Sequence, residues 1–315
     1  MLTLLFLAVA FVAFTNGANA NFKGVASLYG SGTTSLRRAA AWGTLSTFAG
    51  SVAAVFLAQG IVKAFSGRGI VPDELVSSSH FVCAVALGAA FTSFVATRLG
   101  FPVSTTHALV GALAGAGWAG SGVVRFDALA TAFLYPLLFS PVAAAVAGAV
   151  AYLLLKRLRL APDHRTPALD RLHFLSAGAA SFARGLNDTP KMAALMLAVP
   201  AVGVGGAFAA IAVLIALGGL LDSSRVAETL GKRVTDMDPG QGFAASLVTA
   251  ALVTTASLHS LPVSTTHVSV GSLLGMGAAT GRAHWRKAAE IVLAWVSTVP
   301  CAALLGAAAY RLVAR

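Results

Sequence analysis

Residues 202–221 read VGVGGAFAAIAVLIALGGLL, without a charged side chain. As a helix, a run of that length crosses the hydrocarbon core of a bilayer. Runs of this kind recur along the whole chain. Of the 315 residues, 57% are hydrophobic and 10% charged, where a soluble domain carries about 25% charged residues. Inside lipid the backbone must satisfy its own hydrogen bonds, so only helices or closed barrels span. No segment alternates with the short period of a barrel strand. The chain therefore reads as an all-α polytopic membrane protein of about ten spans, without a soluble domain.

The net charge of +11 fits basic loops held on one side of a membrane, together with an anionic cargo, better than nucleic-acid binding. Cys83 and Cys301 stand apart in apolar segments and read as small core residues, with no spacing for a metal or a disulfide. Met1–Ala20 ends on Ala18-Asn19-Ala20 in the manner of a signal peptide, but it has no basic start and its end recurs later in the chain. It reads as a retained first span.

The recurrence is an internal repeat. FPVSTTH at 101–107 returns as LPVSTTH at 261–267, an offset of 160, and each is followed by a glycine pair, Gly111/Gly115 and Gly271/Gly275. Asn19 to Lys23 (NANFK) aligns with Asn187 to Lys191 (NDTPK), an offset of 168. The chain thus divides into a first transmembrane repeat at 1–155, a basic cytoplasmic linker at 156–171 and a second repeat at 172–315. Each repeat holds five segments, expected near 1–22, 36–60, 76–98, 104–120 and 127–155, then 172–190, 202–221, 241–260, 265–281 and 286–311. An odd number of segments inverts the second copy relative to the first, with broken helices and hairpins at the centre.

Basic residues test that topology. With the N-terminus outside, fourteen fall on cytoplasmic connections: Arg37, Arg38, Arg98, Lys156, Arg157, Arg159, Arg165, Arg171, Arg225, Lys232, Arg233, Arg282, Arg286 and Lys287. Five fall outside: Lys63, Arg68, Arg125, Arg311 and Arg315. The bias obeys the positive-inside rule and places both termini outside.

Lys23, Arg184 and Lys191 belong to neither side. They sit with Asp188 in two polar knots, FTNGANANFKGVA at 14–26 and FARGLNDTPKMAA at 182–194. Ionisable groups at membrane depth are costly and serve function or pair with one another. The matched placing of Lys23 and Lys191 argues against two independent side chains reaching out to an interface. In the PVSTTH pair, proline and hydroxyls precede a small-residue helix, which marks a helix N-terminus. Such an end offers free amides and the positive end of the helix dipole to an anion, although Ser104 and Ser264 could equally be ordinary caps. His107 and His267 close these motifs as hairpin locks or proton carriers. No histidine spacing suggests a metal site, and the glycine pairs suit close helix packing.

The doubled knot and doubled PVSTTH resemble the inorganic phosphate transporter (PiT/PHO4) family over residues 16–277. That resemblance implies an inner-membrane permease moving a tetrahedral oxyanion, usually phosphate, with sodium or protons. It also implies substrate-binding roles for Asn19, Asn187 and Asp188, and for the hairpin hydroxyls Ser104, Thr105, Thr106, Ser264, Thr265 and Thr266. Two departures matter. Ala20 stands where the first family motif has Asp, and Lys23 and Lys191 stand where each motif has its second Asn. A fixed ammonium can do the electrostatic work of a bound sodium ion, so both lysines join the expected substrate site. Sodium dependence is expected to be weak or absent, with protons as the coupling ion and sodium as the alternative. Asp188, His107 and His267 are the coupling candidates. Phosphate is the expected substrate and sulfate, which only accepts hydrogen bonds, the alternative. An anion channel is a weaker reading. An intramembrane enzyme would need a nucleophile–base pair or a carboxylate dyad, and only one deep acid is present. No cofactor, metal or nucleic acid is expected. The partners are the anion and the bilayer, with self-association left open.

Overall fold

The computed structural model describes residues 1–161, 164–199 and 202–314. Arg315, assigned above to the outer face, and Pro162 and Asp163 of the linker lie outside the described residues. The described chain is helical throughout, and ten helices make its frame. They are α1 (Leu2–Ala20), α2 (Leu36–Leu57), α3 (Ser79–Arg98), α4 (Thr105–Ser121), α5 (Tyr135–Arg157), α6 (Pro167–Met196), α7 (Val204–Leu221), α8 (Pro239–Leu258), α9 (Thr265–Thr280) and α10 (Trp285–Val313). Seven helical stretches are long and apolar enough to cross a membrane. The other three frame helices are α6, which carries the second knot, and α4 and α9, which have 17 and 16 residues.

Local chemistry sets the ends. Thr166 caps α6 by accepting from the Leu169 amide, with Pro167 in the first turn. Asp238 and Gln241 form a reciprocal capping box on α8. Helices α4 and α9 stop at Gly122 and Gly281, both left-handed at φ 68° and 71°.

Packing repeats with the sequence. The pairs α1·α3, α1·α7, α3·α4, α3·α10 and α4·α10 have counterparts in α6·α8, α6·α2, α8·α9, α8·α5 and α9·α5. Matching helices also bury alike: α3 and α8 are 72% and 67% inside, whereas the spans containing α5 and α10 are only 22% and 28% inside. The last two form an outer pair whose Leu138, Phe139, Leu293 and Leu304 point outward, as lipid-facing side chains do.

The paired glycines lie at the tightest crossings. A Cβ on Gly115 would stand 1.9 Å from the Ala303 carbonyl oxygen, and one on Gly275 would stand 1.8 Å from that of Ala145. Glycine is what lets α4 meet α10, and α9 meet α5, backbone to backbone.

Two expectations change. The two knots were expected to break their helices alike. The first does: α1 ends at Ala20 and a 3-10 turn covers Asn21–Lys23. The second does not, because α6 continues through Pro190 to Met196. Proline removes one backbone donor, and enclosure by α2, α8 and α7 keeps the helix going regardless. The second change concerns Cys301, which is exposed on α10, while Cys83 is buried as expected.

Candidate functional site

The continuous α6 arranges its charges by helical spacing. Arg184, Asp188 and Lys191, at i, i+4 and i+7, share one face. Asp188 Oδ1 meets Lys191 Nζ at 3.0 Å, and Asp188 Oδ2 meets Arg184 Nε at 3.7 Å. Lys23 arrives from the 3-10 turn after α1. Exposure is 4% for Lys23, 1% for Arg184, 2% for Asp188 and 1% for Lys191, so the whole group is cut off from water. Ionised, three cations against one carboxylate leave the centre with two net positive charges.

The hairpin tips before α4 and α9 close over this group in matched fashion. Lys23 Nζ donates to the Val103 carbonyl at 2.9 Å, and Lys191 Nζ donates to the Val263 carbonyl at 3.0 Å. Thr266 donates across to the Val103 carbonyl at 2.8 Å, and Thr106 to that of Val263 at 3.4 Å. Lys191 also donates to Thr106 Oγ1 at 2.9 Å. Thr265 donates to Asp188 Oδ2 at 3.4 Å, and Asn16 Nδ2 donates to both Thr105 Oγ1 and Asp188 Oδ2. Both lysine ammonium groups are taken up by acceptors of the protein itself, while Arg184 Nε, 3.7 Å from Asp188, has no hydrogen-bond partner.

The remaining expected site residues stand one layer back. Asn19 grips the first tip, donating to the Phe101 carbonyl and accepting from the Val103 amide, and it also donates to Thr97. Asn187 donates to Ser257, at the position matching Thr97. Ser104 and Ser264 cap their helices, accepting from the His107 and His267 amides at 3.3 and 3.2 Å. His107 and His267 face each other with ring centroids 4.7 Å apart. His267 Nδ1–H donates to the Leu137 carbonyl at 2.8 Å, and the ring packs on Trp295. Both rings line an apolar cavity of about 810 Å³ between α5, α9 and α10, and none of their hydrogen bonds reaches Asp188.

Three contributors were missing from the expected set: Arg184, Asn16 and Thr47. Arg184 donates to Asn16 Oδ1 at 2.8 Å and to Thr47 at 3.2 Å. Asn16 is its counterpart at offset 168 and bridges it to Thr105 and Asp188. Reading the repeat three residues further upstream pairs Asn16 with Arg184, a signal available in the sequence. Thr47, far away along the chain, gave none.

Comparison with known proteins bears on this geometry. A Mycobacterium tuberculosis protein named a probable low-affinity inorganic phosphate transporter is 30% identical, over 95% of this chain and 74% of its own length. A Rhizobium meliloti protein of the same name is 30% identical, over 96% of this chain and 94% of its own. A solved structure titled the sodium-dependent phosphate transporter superposes with a TM-score of 0.80, over 99% of this chain and 98% of that one; at 24% identity it speaks to fold. The phosphate transporter family, PHO4, matches residues 16–306. This multi-pass membrane protein, with its two knots folded into one charged centre, belongs to the PHO4 phosphate transporter family.

Proposed function

We propose that this chain is a secondary permease for an inorganic tetrahedral oxyanion, with phosphate as its substrate, driven by protons and independent of sodium. One observation carries the reading. Arg184 and Lys191 pair with a single carboxylate and Lys23 is buried in the same centre, beneath two hairpin tips whose helices begin with Thr105-Thr106 and Thr265-Thr266. Two net positive charges out of water call for a divalent counter-anion. The helix N-termini and hydroxyls supply donors for its oxygens. Binding trades the Thr106–Lys191 contact for contacts to the anion. Because the cations are built in, sodium has no charge to supply. The solved structure is titled sodium-dependent, and Lys23 and Lys191 are where this chain departs from the family motif it resembles.

The matched helix pairs support reading residues 1–155 and 172–315 as inverted copies joined by a basic cytoplasmic linker at 156–171, with both termini outside the inner membrane. The substrate ligands are then Lys23, Lys191, Thr105, Thr106, Thr265 and Thr266, with Asn19, Asn187, Ser104 and Ser264 holding the hairpins around them.

Sulfate is the second reading, and Asp188 favours it. Both carboxylate oxygens are already occupied by Lys191, Arg184, Asn16 and Thr265. A protonated oxyanion gains little from an acceptor so engaged, and a fully deprotonated one needs none. The test is uptake of labelled phosphate and labelled sulfate into proteoliposomes under a pH gradient, with and without sodium. Saturable accumulation without sodium supports the reading. Strict dependence on a sodium gradient overturns the coupling part of it.

A further inference from the structure

Lys23 and Lys191 are equivalent by repeat, but their surroundings differ in one respect that the oxyanion site does not use. Each lines a small cavity of about 10 Å³, about the least that holds one water molecule. Around Lys191 the walls are Phe65, Leu109, Phe133 and Leu195. Around Lys23 they include Ser27, Ser246, Thr249 and Ser269. At offsets of 160 and 168 the positions matching these four hydroxyls are Leu195, Ala86, Ala89 and Leu109. Every hydroxyl on the Lys23 side answers to an apolar residue on the other.

The hydroxyl-lined cavity continues into a hydrogen-bonded chain. Ser27 Oγ lies 2.7 Å from Ser246 Oγ and 2.9 Å from His173 Nε2. On the far side of the ring, His173 Nδ1 lies 3.2 Å from Thr33 Oγ1, which lies 2.8 Å from Ser31 Oγ at the partly exposed end. His173 is fully buried. Arg165, which is half-exposed, donates to the Thr33 carbonyl at 2.9 Å. The chain therefore emerges on the basic face that the charge bias assigns to the cytoplasm.

We propose that Lys23 carries the coupling proton and that Ser27, Ser246 and His173 form the path by which it leaves toward the cytoplasm. This rests on the permease reading above. Among the described residues Lys23 has no ion pair, unlike Lys191 and Arg184, and its ammonium makes one hydrogen bond, to Val103. The charged and titratable groups facing it are Asp188, Arg184 and Lys191 from α6 and His267 from α9. While a dianion occupies the centre, all three cations have a counter-charge. Once it departs, the cation without a carboxylate is the one left uncompensated. Its N–H proton passes to a water in the cavity, that water passes a proton to Ser246 Oγ, and Ser246 passes its own to Ser27 Oγ. Ser27 passes its own to Nε2 of neutral His173, which releases the Nδ1 proton toward Thr33 and solvent. The relay leaves Lys23 neutral and His173 as its Nε2–H tautomer. Turning of the hydroxyls and the imidazole resets the path, and Lys23 takes its next proton from the outer side with the next anion, so one proton moves with each anion. The Lys191 side has no such exit, because its cavity wall is apolar.

The test uses the full chain in proteoliposomes, with labelled phosphate or sulfate and a pH-sensitive dye trapped inside. Ser246→Ala and His173→Gln should each slow pH-driven accumulation and the accompanying dye signal by about tenfold or more, the least that a positioned proton-transfer group contributes being larger still. Exchange of labelled for unlabelled anion across the same vesicles should stay within about twofold, since a carrier that returns loaded need not shed the proton. Unchanged accumulation in both variants overturns the path and leaves the permease reading standing. An equal fall of exchange and accumulation in both also overturns it, since the residues then serve structure alone. No uptake of either anion by the unaltered protein defeats the permease reading itself.

Discussion

Lys23 and Lys191 hold mirror-image places, donating at 2.9 and 3.0 Å to the carbonyls of Val103 and Val263, yet only Lys191 is also ion-paired, to Asp188 at 3.0 Å. The two lysines should therefore respond differently to removal. Lys23→Ala and Lys191→Ala should each lower oxyanion uptake by about tenfold or more, the worth of one charge-assisted hydrogen bond. Lys191→Ala additionally strips Asp188 of its closest partner and should cost about 3–5 kcal/mol of stability. Lys23→Ala leaves no carboxylate behind and should cost far less. Thermal unfolding in detergent separates the two, and equal destabilisation would contradict the assignment.

Ala20 is buried at the position matching Asp188. Ala20→Asp puts a carboxylate beside Lys23 and, when ionised, lowers the net charge of the centre from two to one. Affinity for a divalent anion should fall, with uptake measured at fixed pH as the readout. Sodium should gain an effect on that uptake, because a second carboxylate gives a cation something to neutralise. Unaltered affinity would mean that Ala20 does not face the site.

Gly115 and Gly275 pack against the carbonyls of Ala303 and Ala145. Gly115→Val or Gly275→Val forces α4 from α10, or α9 from α5, and should cost at least about 1–3 kcal/mol, as overpacking does elsewhere. Both variants should also displace the Thr-Thr turns and reduce uptake. Stability in detergent and uptake should fall together.

Unlabelled sulfate should compete with labelled phosphate uptake, and phosphate with sulfate uptake, since Asp188 is too fully engaged to demand a protonated ligand. Complete indifference of phosphate uptake to excess sulfate would point to an acceptor that these contacts do not reveal.

The frame of the protein was legible because membrane burial writes it in long apolar runs, and because duplication writes the same boundaries twice. The knots were legible for the same reason: Lys23 and Lys191 mean little singly and much as a pair. The sequence did not reveal how unlike the two knots are in three dimensions. Proline at 190 reads as a breaker, yet enclosure by neighbouring helices carries α6 straight through it. That continuity puts Lys191, beyond the proline, on the same face as Asp188, which sequence spacing suggests only once the helix is known to persist. Thr47 entered the site by tertiary packing from α2, and no local pattern marks it. His173 was visible only as a histidine without metal spacing, until Ser27 and Thr33 bracketed it from another segment.

In the proposed function, two distant knots make one cation-rich oxyanion site that needs no sodium. It is tested most directly by uptake of labelled phosphate and sulfate into sodium-free proteoliposomes holding the unaltered chain, Lys23→Ala or Lys191→Ala. Saturable accumulation by the unaltered chain and its loss in both variants are expected. No accumulation without sodium, or near-normal uptake in both variants, would contradict it.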